Sequence, residues 1–597
     1  MRNVRGCPTL AERCVMMKKS RFPVWQLAPE VLKYQVVTKL VLAFLLTLIR
    51  MAALALLSSA GRVAVSSGDY RFLFTTWQGP LIILLFLTIF FFYVSIDLNV
   101  KILYSGNVLS GVTEPVLKTI RRAAAALPKF FNLHGLGVVL YVTLISPVVG
   151  VGLGVSLTQS LRIPNFISSV IETTPLYNAI YTILVLLFAV LGISHIFCLH
   201  GTLLDGLSIR ESRKRSTSLI RRHWRNYLWE NLKYILWMAV LVLLAVTAFL
   251  VLPLALLEWL SPALLTKRFL TILILLLGSS VSGFLSLFIT PFYILRITRM
   301  YRGYLEGRQV PIPPRHSGKH PLFWGICAAG ILACSGLASL SAQNFDVFFP
   351  SEITVQIIAH RGGGSEGTEN TVSGLHTAAA LGAFGSEIDI QRTADGYYIV
   401  NHDANFLRTA GDSRTPSEMT LSEIRKLRVQ NSDDPVATFE EMLEAARDRI
   451  LLFVELKGAS ADRQMCDDAV KMIRDMGMTE QTVLISLKYE LIDYIETTYP
   501  EIQTGYLTFL SYGNTTRLHC DYLGLEEESA TASAMEAVHQ QGKKVLVWTP
   551  NTVSSQEHFL VSHADAIITD NIVQAKELTE RLEARSDLDR ITSALLR

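Results

Sequence analysis

QIIAHRGGGSEGTENTVSGLHTAAALGAFGSEIDIQRTADGYYIVNHD, residues 356–403, decides how the rest of this 597-residue chain is read. An apolar run at 355–359, broken only by Gln356, ends in His360, Arg361 and Gly362, the pattern of a buried parallel strand feeding a loop. Thr-Glu-Asn-Thr at 368–371 supplies helix-capping side chains ahead of a helix predicted at 373–381, where alanine is frequent. A second strand is predicted at 386–391. Side chains on a strand switch faces at each residue, so Glu387 and Asp389 point the same way. Two carboxylates on one face repel, and a hard divalent cation, Ca²⁺ or Mg²⁺, relieves the repulsion through oxygen ligation. A third strand, 397–401, delivers His402 and Asp403 at its C-terminal end.

The same placement recurs downstream. Residues 450–456 are apolar except for Glu455, and Lys457 follows two residues later on the same face. Three carboxylates, two imidazoles, an arginine and a lysine suit metal-assisted chemistry on an anion, with a histidine moving a proton. Strands predicted at 482–486, 502–508, 522–525 and 545–548 bring the number to eight, with short amphipathic helices at 421–427 and 439–446. Asp-Ala-Ile-Ile-Thr-Asp at 565–570 reads as a closing segment, and Trp548 at a strand end as a residue lining the pocket.

In this order, HRG at 360–362, Glu369-Asn370, the ExD of 387–389, His402-Asp403, the ExK of 455–457 and ITD at 568–570 resemble the glycerophosphodiester phosphodiesterase family, over residues 353–578. The resemblance implies a TIM-type (β/α)₈ barrel with its site at the C-terminal ends of the strands. It also implies that His360 and His402 are the acid and the base, their order left open. On the same grounds Glu387, Asp389 and Glu455 bind the divalent metal, and Arg361 and Lys457 hold the substrate phosphate. The resemblance further makes Glu369 and Asn370 candidate lining residues of the site. The implied reaction hydrolyses a glycerophosphodiester to sn-glycerol 3-phosphate and an alcohol. The family usually has proline before its Glu-Asn pair, where this chain has Thr368.

Ahead of the barrel the composition changes. Half of all residues are hydrophobic and only 18% are charged, which points to a membrane protein rather than one large soluble core. Seven apolar segments reach spanning length, at 40–59, 80–96, 136–157, 179–199, 235–257, 270–293 and 322–340. This predicts an all-α polytopic membrane domain at 36–341, between a basic tail (1–35) and a connector (342–352). The barrel occupies 353–580 and a C-terminal tail 581–597. Some bacterial members of the family resemble this chain in carrying such a domain. Lysine and arginine number 27 in the N-terminal tail and the even-numbered connections, against 5 in the odd-numbered ones. The charge bias therefore places the N-terminus in the cytoplasm and, after seven spans, the barrel outside. Between spans, the block at 210–225 reads as a topological signal that also meets anionic lipid rather than as a nucleic-acid site. Arg50, inside the first span, is a candidate functional residue with Asp97 as a conceivable partner.

Two other readings stay open on sequence. One is the same chemistry on a lysophospholipid or a polyglycerolphosphate polymer such as teichoic acid. The other is a transporter or sensor whose barrel binds a phosphodiester without turning it over. The seven cysteines show neither metal-ligand spacing nor a disulfide framework.

Overall fold

The computed structural model describes residues 24–66, 71–130, 174–313, 321–429, 432–509 and 511–595, with the isolated residues 137 and 171. They fall into two compact units, one drawn from 1–51, 84–163 and 170–343, the other containing 52–83 and 344–597.

In the first part of the chain, six helices among the described residues are long and apolar enough to cross a bilayer. They are Ala28–Ser59, Gln78–Leu109, Pro175–Leu204, Ile209–Leu260, Leu264–Glu306 and Phe323–Gln343. They contain six of the seven expected spans; the expected span at 136–157 lies outside the described residues except for residue 137. Large apolar side chains such as Phe44, Leu84, Ile183 and Leu243 stand exposed on these helices. An apolar surface that extensive is stable only where lipid is the solvent, so the chain is a multi-pass membrane protein. Asp97 is buried and ion-paired with Lys101, one turn along its own helix. The helix that carries the 210–225 basic block starts at a capping box, Ser208 with Glu211.

The second unit is built on a closed barrel of eight parallel strands. They are β2 (Gln356–Ala359), β3 (Gly385–Arg392), β5 (Leu451–Leu456), β6 (Thr482–Ser486), β7 (Gln503–Thr508), β9 (Tyr522–Glu526), β10 (Lys544–Trp548) and β11 (Ala566–Thr569). Neighbours pair in that order, and β11 returns to β2 to close the ring. The strands read as nearly continuous apolar runs because both faces are buried. Ile358, Phe453, Ile485, Leu507, Leu546 and Ile568 form one cluster, whereas their strand neighbours Val454, Tyr506, Val547 and Ile567 belong to clusters that include residues of the flanking helices. Gly385 makes room for that first cluster: a Cβ there would meet the Phe453 ring at 2.8 Å.

One expectation is corrected here. The strand predicted at 397–401 is β4 (Tyr398–Val400), and it pairs antiparallel with β3 as a hairpin, outside the parallel ring. Only a short turn through Gly396 separates it from β3, too short for the crossover that a parallel neighbour needs. The eighth barrel strand is instead β11, from the segment read as a closing piece. Two further strands lie off the ring, β1 (Ala64–Ser66) and β8 (Ser511–Gly513), which pair antiparallel with each other.

Candidate active site

The site forms where the C-terminal ends of β2, β3 and β5 meet the loops after β4 and β11. Asp389 and Glu455 are register partners on adjacent strands, and Glu387 lies two residues before Asp389 on the same face. One oxygen from each of the three carboxylates lies within 4.8 Å of the others, all buried. Asn370 Nδ2 donates to Asp389 at 3.0 Å, and the Arg361 N–H donates to Glu387 at 2.9 Å, so two of the acids are aimed by fixed donors. Lys457 Nζ donates to Asp389 at 2.9 Å and to Glu455 at 3.0 Å.

One ammonium does not balance three buried carboxylates. Burial first, then the charge of Asp389, pushes Glu387 up to about 8, and burial also raises Glu455. Asp389 is held well below the usual carboxylate range because Lys457, His402 and the Asn370 hydrogen bond outweigh its burial. A buried oxygen cluster with surplus negative charge fits a hard divalent cation.

The two histidines are held alike. Asp570 lies 2.7 Å from Nδ1 of His360, and Asp403 lies 2.8 Å from Nδ1 of His402. The outer nitrogens differ. Arg361 Nη2 stands 3.0 Å from His402 Nε2. A guanidinium can only donate, so this Nε2 carries a lone pair and the imidazole is neutral. His360 Nε2 instead lies 3.9 Å from Glu387, which places its ring between two carboxylates. Burial alone would lower His360, yet the Asp570 hydrogen bond and the charges of Glu387 and Asp570 outweigh it and its pKa is raised. For His402 burial wins and the pKa is lowered.

The loop after β2 takes its shape from this work. Arg361 sits at φ 50° and Asn370 at φ 53°, the left-handed region that few residues other than glycine adopt. Between them Gly362, at φ 88°, approaches so closely that a Cβ would meet the Asn370 nitrogen at 3.2 Å. Arg361 Nη1 also donates to Glu369 at 3.2 Å. Trp548 ends β10 and packs on the Phe453 cluster.

All seven residues assigned a role from sequence therefore belong to this constellation. Three others were not singled out. Arg408 clamps Glu369 at 2.6 Å and Asp403 at 2.8 Å, fixing the carboxylate behind His402. Asp570 appeared only as the end of a motif, and Asn551 donates to it and accepts from its N–H. For Asp570 the signal lay in a polar residue just past a strand end, visible once β11 is counted as a strand.

Comparison with known families gives two matches. Residues 360–574 match the glycerophosphoryl diester phosphodiesterase family. Residues 17–335, more than half of the chain, match the membrane domain of glycerophosphoryl diester phosphodiesterase. A glycerophosphodiester phosphodiesterase of Caldanaerobacter subterraneus is 26% identical over 236 residues, 36% of this chain and 93% of that protein. Human glycerophosphodiester phosphodiesterase 1 is 24% identical over 275 residues, 39% of this chain and 83% of the human protein. Among solved structures, an Oleispira antarctica phosphodiesterase in complex with the product sn-glycerol-3-phosphate is 22% identical, with a TM-score of 0.36. That match covers 38% of this chain and 96% of the other. Since the membrane-domain match alone spans most of the first 335 residues and the catalytic match follows it in the same chain, the protein belongs to the glycerophosphoryl diester phosphodiesterase family and carries that family's membrane domain.

Proposed function

We propose that the protein is a membrane-anchored enzyme that hydrolyses glycerophosphodiesters to sn-glycerol 3-phosphate and an alcohol, with His402 as the base and His360 as the acid. The observation that carries this reading is the opposite polarity of two equally supported imidazoles. His402 presents a lone pair through Nε2 while its Nδ1–H is held by Asp403. His360, flanked by Asp570 and Glu387, retains its proton.

Glu387, Asp389 and Glu455 would hold a Ca²⁺ or Mg²⁺ ion, whose charge opposes the build-up on the non-bridging phosphate oxygens. His402 withdraws a proton from the attacking water as its oxygen bonds to phosphorus, and His360 donates its proton to the departing alkoxide as the bond to the leaving oxygen breaks. Arg361 turns from His402 toward the phosphate as substrate enters. Lys457 spends two of its three N–H donors on Asp389 and Glu455. The third remains for a phosphate oxygen.

The test replaces each histidine singly by alanine in the full-length protein. Each is expected to lower kcat by about 10²–10⁴-fold, the usual worth of a general acid or base. A variant that turns over like the parent would remove that histidine from the mechanism.

A further inference from the structure

The helical cover of the barrel has a gap, and the chain fills it from far outside the barrel sequence. Among the described residues no α-helix lies between β7 and β9; only β8 and a 3-10 turn, Thr515–Arg517, stand there. A parallel strand needs cover on both faces. On its helix-facing side β7 carries Tyr506, which has no exposed surface. Tyr489 covers it edge-on at 5.3 Å, and β1 supplies more. The Ser66 hydroxyl hydrogen-bonds to that of Tyr506, and Ala64 joins the cluster of Tyr506, Leu518 and Leu523.

The β1–β8 ribbon is specific. Ala64 lies opposite Gly513, Val65 opposite Tyr512 and Ser66 opposite Ser511, and the Asn514 N–H donates to the Val63 carbonyl at 3.0 Å. Val65 and Tyr512 then pack together with Leu57, Phe72 and Ile82, residues beside the ends of the first two spans. Gly513 is matched to this partner, because at φ 109° a Cβ would lie 2.6 Å from the Val63 carbonyl oxygen and 2.7 Å from the Ala64 Cα.

The ribbon also follows from the C-terminal end of β7, and the site residues stand at the C-terminal ends of the ring strands. Gly505 is level with Ile485 and hence with Glu455. From there β7 runs on to Thr508, its C-terminal end, and β8 begins three residues later.

We propose that residues 63–66 are a strand donated by the first interspan connection to the catalytic rim, standing in for the missing crossover helix and positioning the β7–β9 loop for substrate. The connection and the barrel then share one side of the membrane, opposite the tail that precedes the first span. Only the kinetic part of this proposal rests on the hydrolase reading.

The experiment uses the full chain in its membrane with Val65→Cys and Tyr512→Cys together. Opposed residues on antiparallel strands have Cα atoms about 4.5–5.5 Å apart, within reach of a disulfide. Copper–phenanthroline should link the peptides carrying positions 65 and 512, reversibly by reductant, while neither single variant gives that link. Absence of the link overturns the donated strand. The Gly513→Val variant should raise KM for glycerophosphocholine about tenfold while kcat stays within about twofold. Ser66→Ala, which removes one hydroxyl, should raise it about two- to threefold and covers the case in which Gly513→Val does not fold. Unchanged KM in the variants, or a loss confined to kcat, overturns the positioning role. A parent inactive on phosphodiesters would overturn the hydrolase reading, and the disulfide would still decide the strand.

Discussion

At the residue scale, the two histidines set a pH profile. His402 must be neutral to accept a proton, and its pKa is lowered, so activity rises through a value below the ordinary 6.5. His360 must be protonated, and its pKa is raised, so activity falls through a value above 6.5. The profile of kcat/KM should therefore be bell-shaped, with its limbs on either side of 6.5. Asp570→Asn removes the charge that keeps His360 protonated. The alkaline limb should then move toward lower pH while the acid limb stays, and an unmoved alkaline limb would detach Asp570 from His360. Glu387 gives a second prediction. Pushed up to about 8 by burial and Asp389, it is largely protonated at pH 7 in the metal-free protein, and a cation must displace that proton. Titration calorimetry of the EDTA-stripped protein with Ca²⁺ or Mg²⁺, in buffers of different ionisation heat, should report release of about one proton per ion at pH 7. Binding without proton release would contradict that environment for Glu387.

At the scale of elements, the ring of strands is held by what fills it. Phe453 has no exposed surface, meets Tyr522 edge-on at 5.7 Å and is accommodated by the bare Gly385. Phe453→Ala should cost about 3–5 kcal/mol of barrel stability, read as a fall in the midpoint of chemical unfolding. Much of this architecture was legible from the chain. The buried apolar runs, the Thr371 cap and the ExD alternation each follow from periods and side-chain chemistry that act within a few residues. What misled was β4. Its alternation marks a strand correctly but carries no statement about its partner, and the decisive quantity was the loop of a few residues that allows a hairpin and forbids a crossover. The clamp of Arg408 was equally silent, since Glu369 lies 39 residues away from it and only the closed barrel brings the two together. β1 is three residues long, too short to leave any period at all.

For the whole molecule, the proposed orientation in the membrane has a direct test. The charge bias of the connections and the position of β1 on the barrel are independent arguments for a barrel opposite the N-terminal tail. Protease added to intact, wall-stripped cells should digest the barrel and spare the basic block at 210–225, with a cytoplasmic protein as the lysis control. A barrel that survives until the membrane is permeabilised would place it, and its substrates, inside.

The β1–β8 ribbon joins partners that synthesis separates widely, as Ser66 and Tyr506 stand 440 residues apart. On the proposed topology the first connection would cross the bilayer during translation long before any barrel strand exists, and would wait there as a ready edge while the rest of the chain is made. Severing the chain at the obvious border between helices and barrel discards that edge. A barrel freed in this way would keep its catalytic groups but lose the strand paired with β8 and the cover that Ser66 and Ala64 give Tyr506, and unpaired strand edges of that kind recruit other chains. An excised catalytic half should therefore aggregate, and restoring residues 52–83 as a fused segment should suppress that aggregation.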